Sequence, residues 1–198
     1  MKDISKNIIE RAARGDAQAF DILYRATADF IYTIVFRITN NHDNAEDITQ
    51  DVFIKIYKNL KSFHFYSSFK TWAYRIAVNT AINACRKEAK NMEGRDEYIF
   101  DMTRYPSQGG ALDDNKNVDE QRIASLLALL NPDQRACIVL REIEGLNYKE
   151  IAEVLNVNIN TVRSRLKRAR EALLGYKKRE EIKHELPHNT RITLDSVS

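Results

Sequence analysis

The stretch NYKEIAEVLNVNINTVRSRLKRAR, residues 147–170, decides how the second half of the chain folds. Its apolar residues form two sets at helical spacing, Ile151 to Leu155 and then Val162, Leu166 and Ala169, with a break between them. The spacing predicts a short helix from about Tyr148 to Leu155, a turn over Asn156 and Val157, and a second helix starting near Asn158. That is a helix-turn-helix pattern. Ala152 is small where the second helix must cross closely, and Val162 and Leu166 fill the angle between the two. Asn156 sits at the turn position that wants a positive φ, which asparagine tolerates second only to glycine. Asn158 is a good cap for the helix that follows.

The outer face of that helix presents Asn160, Thr161, Arg163, Ser164, Lys167 and Arg168, with Arg165 and Arg170 beside them. Residues 160–179 hold eight Lys or Arg against Glu171 alone, a local +7 in a chain whose net charge is only +3. A basic face by itself usually marks a solvated amphipathic helix. Joined to a preceding helix, the turn chemistry and the small crossing residue, it points to DNA. A helix of this kind enters the major groove with its first exposed turns toward base edges and its flanking cations on phosphates. Arg163, Ser164 and Lys167 are expected to face bases, and Arg165, Arg168 and Arg170 phosphates or a protein partner.

Outward from this stretch, the chain reads as helices without a convincing strand. Phe20 to Ile38 and Ile48 to Leu60 step by three and four, separated by the turn NNHDN, whose Asp43 or Asn44 suits a cap. A third helix is expected from Phe69 to about Lys90, with Trp72, Ile76, Thr80 and Ala84 on one stripe. Residues 91–118 then carry Pro106, Gly109-Gly110 and few aliphatics, which is linker composition. Residues 91–120 hold eight acids against Arg95, Arg104 and Lys116, a local −5. The expected architecture is all-α: two small helical domains, 1–92 and 121–176, joined by a flexible acidic linker at 93–120, with a tail at 177–198. The second domain contains the helix-turn-helix.

Two further surfaces carry chemistry. Asp43, Glu46, Asp47 and Asp51, with Gln50 among them, make an acidic face over nine residues while Ile48 and Val52 stay inward, which suits a basic partner. Helix-dipole compensation accounts for the acids of the first turn and not for Asp51 beyond it. Phe63, Phe65, Tyr66, Phe69, Trp72 and Tyr74 cluster with Lys61, Lys70 and Arg75. Aromatic rings interleaved with cations suit unstacked bases of single-stranded DNA, and core packing is the even alternative for each ring.

An enzyme is not expected. HELPH, residues 184–188, spells a zinc-protease pattern, but Pro187 breaks the helical turn that two ligating histidines require. The six glycines form no phosphate loop, and no Cys/His cluster exists. No cofactor or metal is expected. Cys85 and Cys137 read as buried, reduced thiols. The amino terminus has no signal-peptide core and no apolar run approaches spanning length, so a cytoplasmic protein without membrane insertion is expected.

Residues 130–173, LNPDQRACIVLREIEGLNYKEIAEVLNVNINTVRSRLKRAREAL, resemble region four of the extracytoplasmic-function sigma factors of bacterial RNA polymerase. DNAEDITQDVFIKIYKNL (43–60) and FKTWAYRIAVNTAINACRK (69–87) resemble region two of the same family, in the same order, so that the likeness covers about residues 7–175. It implies a promoter-specificity subunit of core RNA polymerase that recognises −35 and −10 elements and promotes melting. The acidic helix would dock on the clamp helices of the largest subunit, and the second domain on the flap. Region four would read the −35 element. Region two would hold open one −10 strand, a loop before the third helix receiving a flipped base while Asn79, Asn83, Arg86 and Lys87 follow the backbone or read duplex edges. An anti-sigma protein is an implied further partner. The linker would run through the RNA exit path, where its acids mimic nascent RNA, with simple solubility an equal account. The chain departs from the family at Phe65-Tyr66, where a glycine followed by an acid is common. The alternative is a helix-turn-helix regulator without polymerase docking, which would need neither the aromatic-basic site nor the acidic helix.

Overall fold

In the computed structural model, which describes residues 4–93 and 117–185, the first domain is built around one long central helix. That helix, α2 (Ala17–Thr39), packs against α1 (Lys6–Ala13), α3 (His42–Asn59) and α4 (Phe69–Glu93). Leu23, Ile31, Ile34, Val35 and Ile38 of α2 are fully enclosed. Each start and stop has a local cause. Gly15 turns the chain at φ 93°, where a side chain is strained, and Asp16 then caps α2 by accepting from the Ala19 amide at 3.0 Å. That amide, and next the Arg11 guanidinium, hold the Asp16 carboxyl below its usual range. Asn40 ends α2 in the left-handed conformation, and Asn41 caps α3 through the Asn44 amide at 3.1 Å. The cap is thus Asn41 and not the expected Asp43 or Asn44, because the helix already begins at His42.

Two features of this domain depart from the sequence reading. Helix α1 was not expected; with only eight residues it offers a short pattern, although Ile9 and Ala12 are buried. On α4 the core face is turned slightly from the expected stripe. Ala73, Ala77 and Ala81 are fully buried, whereas Trp72, Ile76 and Ala84 are half-buried at its edge. Alanines give little hydrophobic signal, yet their size lets α4 approach its neighbours closely.

The second domain comprises α5 (Asn117–Ala128), α6 (Pro132–Ile138), α7 (Tyr148–Leu155) and α8 (Ile159–Glu185). Asn131 and Gln134 form a reciprocal capping box around α6, with Pro132 at the first helical position where its missing amide costs nothing. Val139–Ile143 continue α6 as one wide π-helical turn. No strand occurs among the described residues.

Both ends of the expected linker and tail need adjusting. Helix α5 begins at Asn117, inside the segment assigned to the linker, and α8 runs to Glu185, inside the assigned tail. Residues 177–185, KKREEIKHE, lack an apolar stripe but consist mostly of good helix formers with no breaker before Pro187. Residues 94–116, including most of the acidic linker, and 186–198, including the end of the HELPH stretch, lie outside the described residues.

Cys85 and Cys137 are both free thiols. Burial pushes the Cys137 thiol up to about 11, and raises Cys85 as well. At pH 8 a group with that value is about one part in a thousand thiolate. A disulfide reagent is therefore expected to label Cys137 only after unfolding, and prompt release of two thiols from the native chain would contradict this burial.

Candidate nucleic-acid and polymerase interfaces

The helix-turn-helix is fixed at three points. Asn147 accepts from the Lys149 and Glu150 amides at 2.9 and 3.1 Å, while the Glu150 carboxylate accepts from the Asn147 amide at 2.7 Å, closing the start of α7. Asn156 ends α7 at φ 51°, as its turn position requires, and the Val157 amide donates back to the Ala152 carbonyl at 3.0 Å. Asn158 accepts from the Asn160 amide at 2.8 Å where α8 begins. Val162, Leu166 and Ala169 are buried against the rest of the domain.

The opposite face of α8 leaves Asn160, Arg163, Ser164, Lys167 and Arg168 exposed, with Thr161 half-buried. Arg163 donates to the Asn160 side chain at 2.8 Å, which pre-orders the first turn. Two of the predicted cations are paired with the protein's own acids. Arg165 pairs with Asp133 at 3.0 Å and Arg170 with Glu142 at 2.7 Å.

The predicted aromatic site divides into two groups. Phe63, Phe69 and Tyr74 are core residues: Phe63 and Phe69 are 7% exposed and Tyr74 2%, with Tyr74 packed edge-on against Phe30. Their assignment as base-contacting rings is corrected accordingly, since a ring enclosed by neighbours has no free face. Trp72 is half-buried against Phe63 and Phe69. Phe65 and Tyr66 lie on the loop between Phe63 and α4, where Ser68 accepts from the Thr71 amide at 3.0 Å. Tyr66 is 95% exposed.

Phe65 adopts φ 59°, a conformation that costs a non-glycine residue about 1–2 kcal/mol. Its ring rests on Phe63, with centroids 4.7 Å apart, and under the ammonium of Lys6 at 5.1 Å. These contacts offset the strain and hold the loop with Tyr66 projecting. Phe65 thus occupies a left-handed backbone position that glycine would adopt without strain.

Lys61, Arg75, Asn83, Arg86 and Lys87 are exposed. Asn79 is half-buried, and its amide donates to the carbonyls of Arg75 at 2.8 Å and Val154 at 3.0 Å. Arg86 reaches both oxygens of Asp133 at 2.8 Å. On α3 all five predicted docking residues, Asp43, Glu46, Asp47, Gln50 and Asp51, are exposed. Ile54 and Tyr57 continue that face, 50% and 54% exposed. The sequence reading passed over both. The available signal was phase: Ile54 falls out of step with Ile48, Val52 and Ile56, so an apolar residue there has no core to enter.

The sequence matches Sigma-70 region 2 over residues 23–91 and Sigma-70, region 4 over residues 120–173. It is 36% identical over 174 residues to the ECF RNA polymerase sigma-E factor of Escherichia coli, an alignment covering 84% of this chain and 90% of that protein. The chain belongs to the ECF sigma factor family. As such it is a promoter-directing subunit of bacterial RNA polymerase. It is also 35% identical over 176 residues to the RNA polymerase sigma-H factor of Pseudomonas aeruginosa, covering 85% of this chain and 91% of that one. Among solved structures, a sigma factor RpoE from Bartonella quintana, determined in complex with the anti-sigma factor NepR, matches with a TM-score of 0.61 and 28% identity, over 82% of this chain and 98% of that chain. No helix of this sigma factor is long and apolar enough, among the described residues, to cross a membrane.

Proposed function

We propose that this sigma factor reads the −35 element with the outer face of α8, captures an unpaired −10 base with the loop carrying Tyr66, and docks on core polymerase through α3. The observation that carries the reading is the coexistence on one chain of three exposed surfaces, two basic and one acidic. Arg163, Ser164 and Lys167 would meet bases and Arg168 phosphates. Tyr66 offers a free ring for stacking, with Lys61, Arg75, Asn83 and Lys87 as phosphate or edge contacts. The acids of α3, extended by Ile54 and Tyr57, form an apolar strip edged by negative charge that suits the clamp helices of the largest subunit, and the second domain is assigned to the flap. A regulator without polymerase docking would have no use for the α3 face. An anti-sigma protein is a further proposed partner, supported by the Bartonella relative having been solved with one.

Purifying the chain with core polymerase and sequencing the transcripts it starts tests the whole reading, which expects one shared pair of promoter elements upstream of the start sites. The docking face has its own test. Asp47→Lys with Asp51→Lys should leave the helical content unchanged, because both residues are exposed, and weaken capture of core polymerase by about fivefold to tenfold, more so at low salt. Equal capture by wild type and double variant would remove α3 as the docking face.

A further inference from the structure

Helix α1 lies ahead of the residues that match Sigma-70 region 2, which begin at 23, yet it reaches the loop that carries Tyr66. It packs against the turn Leu60–Ser62 that leads into that loop. Lys6, the first residue of α1, places its ammonium 5.1 Å from the centre of the Phe65 ring and 3.6 Å from the Glu10 carboxylate one turn on. The Phe65 ring meets Phe63 at 4.7 Å, and Phe63 meets Trp72 of α4 at 5.2 Å. One row thus runs from a cation on α1 through two phenylalanines to a tryptophan on α4, so the loop is held from both ends. Phe65 needs the hold, because φ 59° is a conformation that a side chain disfavours. Without it the backbone at residue 65 would relax to a negative φ. Tyr66, 95% exposed and with only His64 edge-on at 6.0 Å as a ring partner, would then lose its direction.

We infer that Lys6 is a positioning residue for strand capture: its ammonium holds Phe65 in the left-handed conformation and so keeps Tyr66 aimed at the extruded base. The inference rests on the proposed capture of a −10 base by the Tyr66 loop. Lys6 acts through the ring and not by meeting DNA itself. A cation over an aromatic face is attracted by the ring's negative centre, and Glu10 limits how far the ammonium can stray. The loop and its flanks, FHFYSSF over residues 63–69, carry no acid, so within the loop the ring is what the cation finds. Glycine accepts φ 59° without strain, so the brace is needed only where residue 65 has a side chain. Lys6 and Phe65 therefore belong together. The brace orders the loop before a base arrives, so it weighs on the rate of opening and leaves the α8 and α3 contacts alone.

The test uses the full chain bound to core polymerase, on a linear promoter drawn from the transcripts it starts. Lys6→Met keeps the length and helix propensity of the side chain and removes the charge. The rate of opening, read by permanganate, should fall about twofold to fivefold, the factor carried by one exposed cation–ring contact. Capture of core polymerase and retention on duplex −35 DNA should hold. Lys6→Arg, whose guanidinium also rests on aromatic faces, should restore the rate. The deciding comparison repeats Lys6→Met in a Phe65→Gly background, where the ring and the strain are both gone and the second substitution should cost nothing further. An equal loss in both backgrounds means that Lys6 meets a phosphate directly, and overturns the inference. A Lys6→Met chain that loses core capture in the same proportion as opening has a fold defect, and overturns it too. Tyr66→Ala separates this inference from the reading beneath it. If opening slows in Tyr66→Ala and not in Lys6→Met, the brace is overturned and base capture stands; if neither variant slows it, both are overturned.

Discussion

Replacing Arg135 with methionine is expected to lower the stability of the chain by about 3 kcal/mol, the largest effect anticipated for any single side chain outside the apolar core. Arg135 is 6% exposed. Its Nε donates to the Leu127 carbonyl at 2.8 Å, Nη2 to Leu130 at 2.9 Å and Nη1 to Ile38 at 2.8 Å. These carbonyls lie at or just beyond the C-terminal ends of α5 and α2, where helices run out of internal donors and where a cation is favoured by the helix dipole. Methionine keeps most of the volume and removes every donor, so the loss reports hydrogen bonding and charge more than cavity formation. With a urea slope of about 2 kcal/mol per molar, the midpoint should fall by more than 1 M. An unchanged midpoint would mean that these carbonyls are satisfied equally well by water.

Tyr66→Ala is expected to reduce open-complex formation by roughly 10-fold to 100-fold at a promoter the polymerase uses, corresponding to about 1–3 kcal/mol for one stacked base. The substitution is clean because the ring is 95% exposed and removing it should alter stability by less than about 0.5 kcal/mol. Phe65 gives no such separation, since its ring also holds the loop against Phe63 and Lys6. Permanganate reactivity of unpaired thymines near −10 measures opening, and retention on duplex −35 DNA measures the α8 contact. The first should drop and the second hold. Tyr66→Phe should restore opening, because stacking needs the ring and not the hydroxyl. If Tyr66→Ala opens linear promoters at the wild-type rate, Tyr66 is a surface ring with no part in strand capture.

The helices and the helix-turn-helix were legible because their signals are local. Asn156 announces a left-handed turn, Asn158 a cap, and Val162, Leu166 and Ala169 a buried stripe, all within a few residues of the contacts they make. The acidic α3 face was legible for the same reason. What escaped were the roles that depend on distant parts of the chain. Glu144 and Tyr74 are 70 residues apart, Arg86 and Asp133 are 47, and Arg37 and Glu144 are 107. Nothing near Asp133 marks it as the partner of two arginines from different domains. Arg135, in the middle of DQRACIV, reads as an ordinary surface cation until the carbonyls around it are seen. The aromatic cluster failed differently. Six rings in twelve residues give one compositional signal, and composition does not distinguish Tyr74, which the core encloses, from Tyr66, which it does not.

The bond from Arg135 to the Ile38 carbonyl also has a consequence for how the chain is made. Its two ends are separated by 97 residues. At a bacterial ribosome adding roughly 5–20 residues each second, the interval between their synthesis is roughly 5–20 s. During that interval the first domain already has all four of its helices and can fold, but the side of α4 that faces α6 and α7 is bare and the end of α2 is bonded only to water. A nascent chain stalled near residue 120 would therefore display the side of α4 that α6 and α7 later cover.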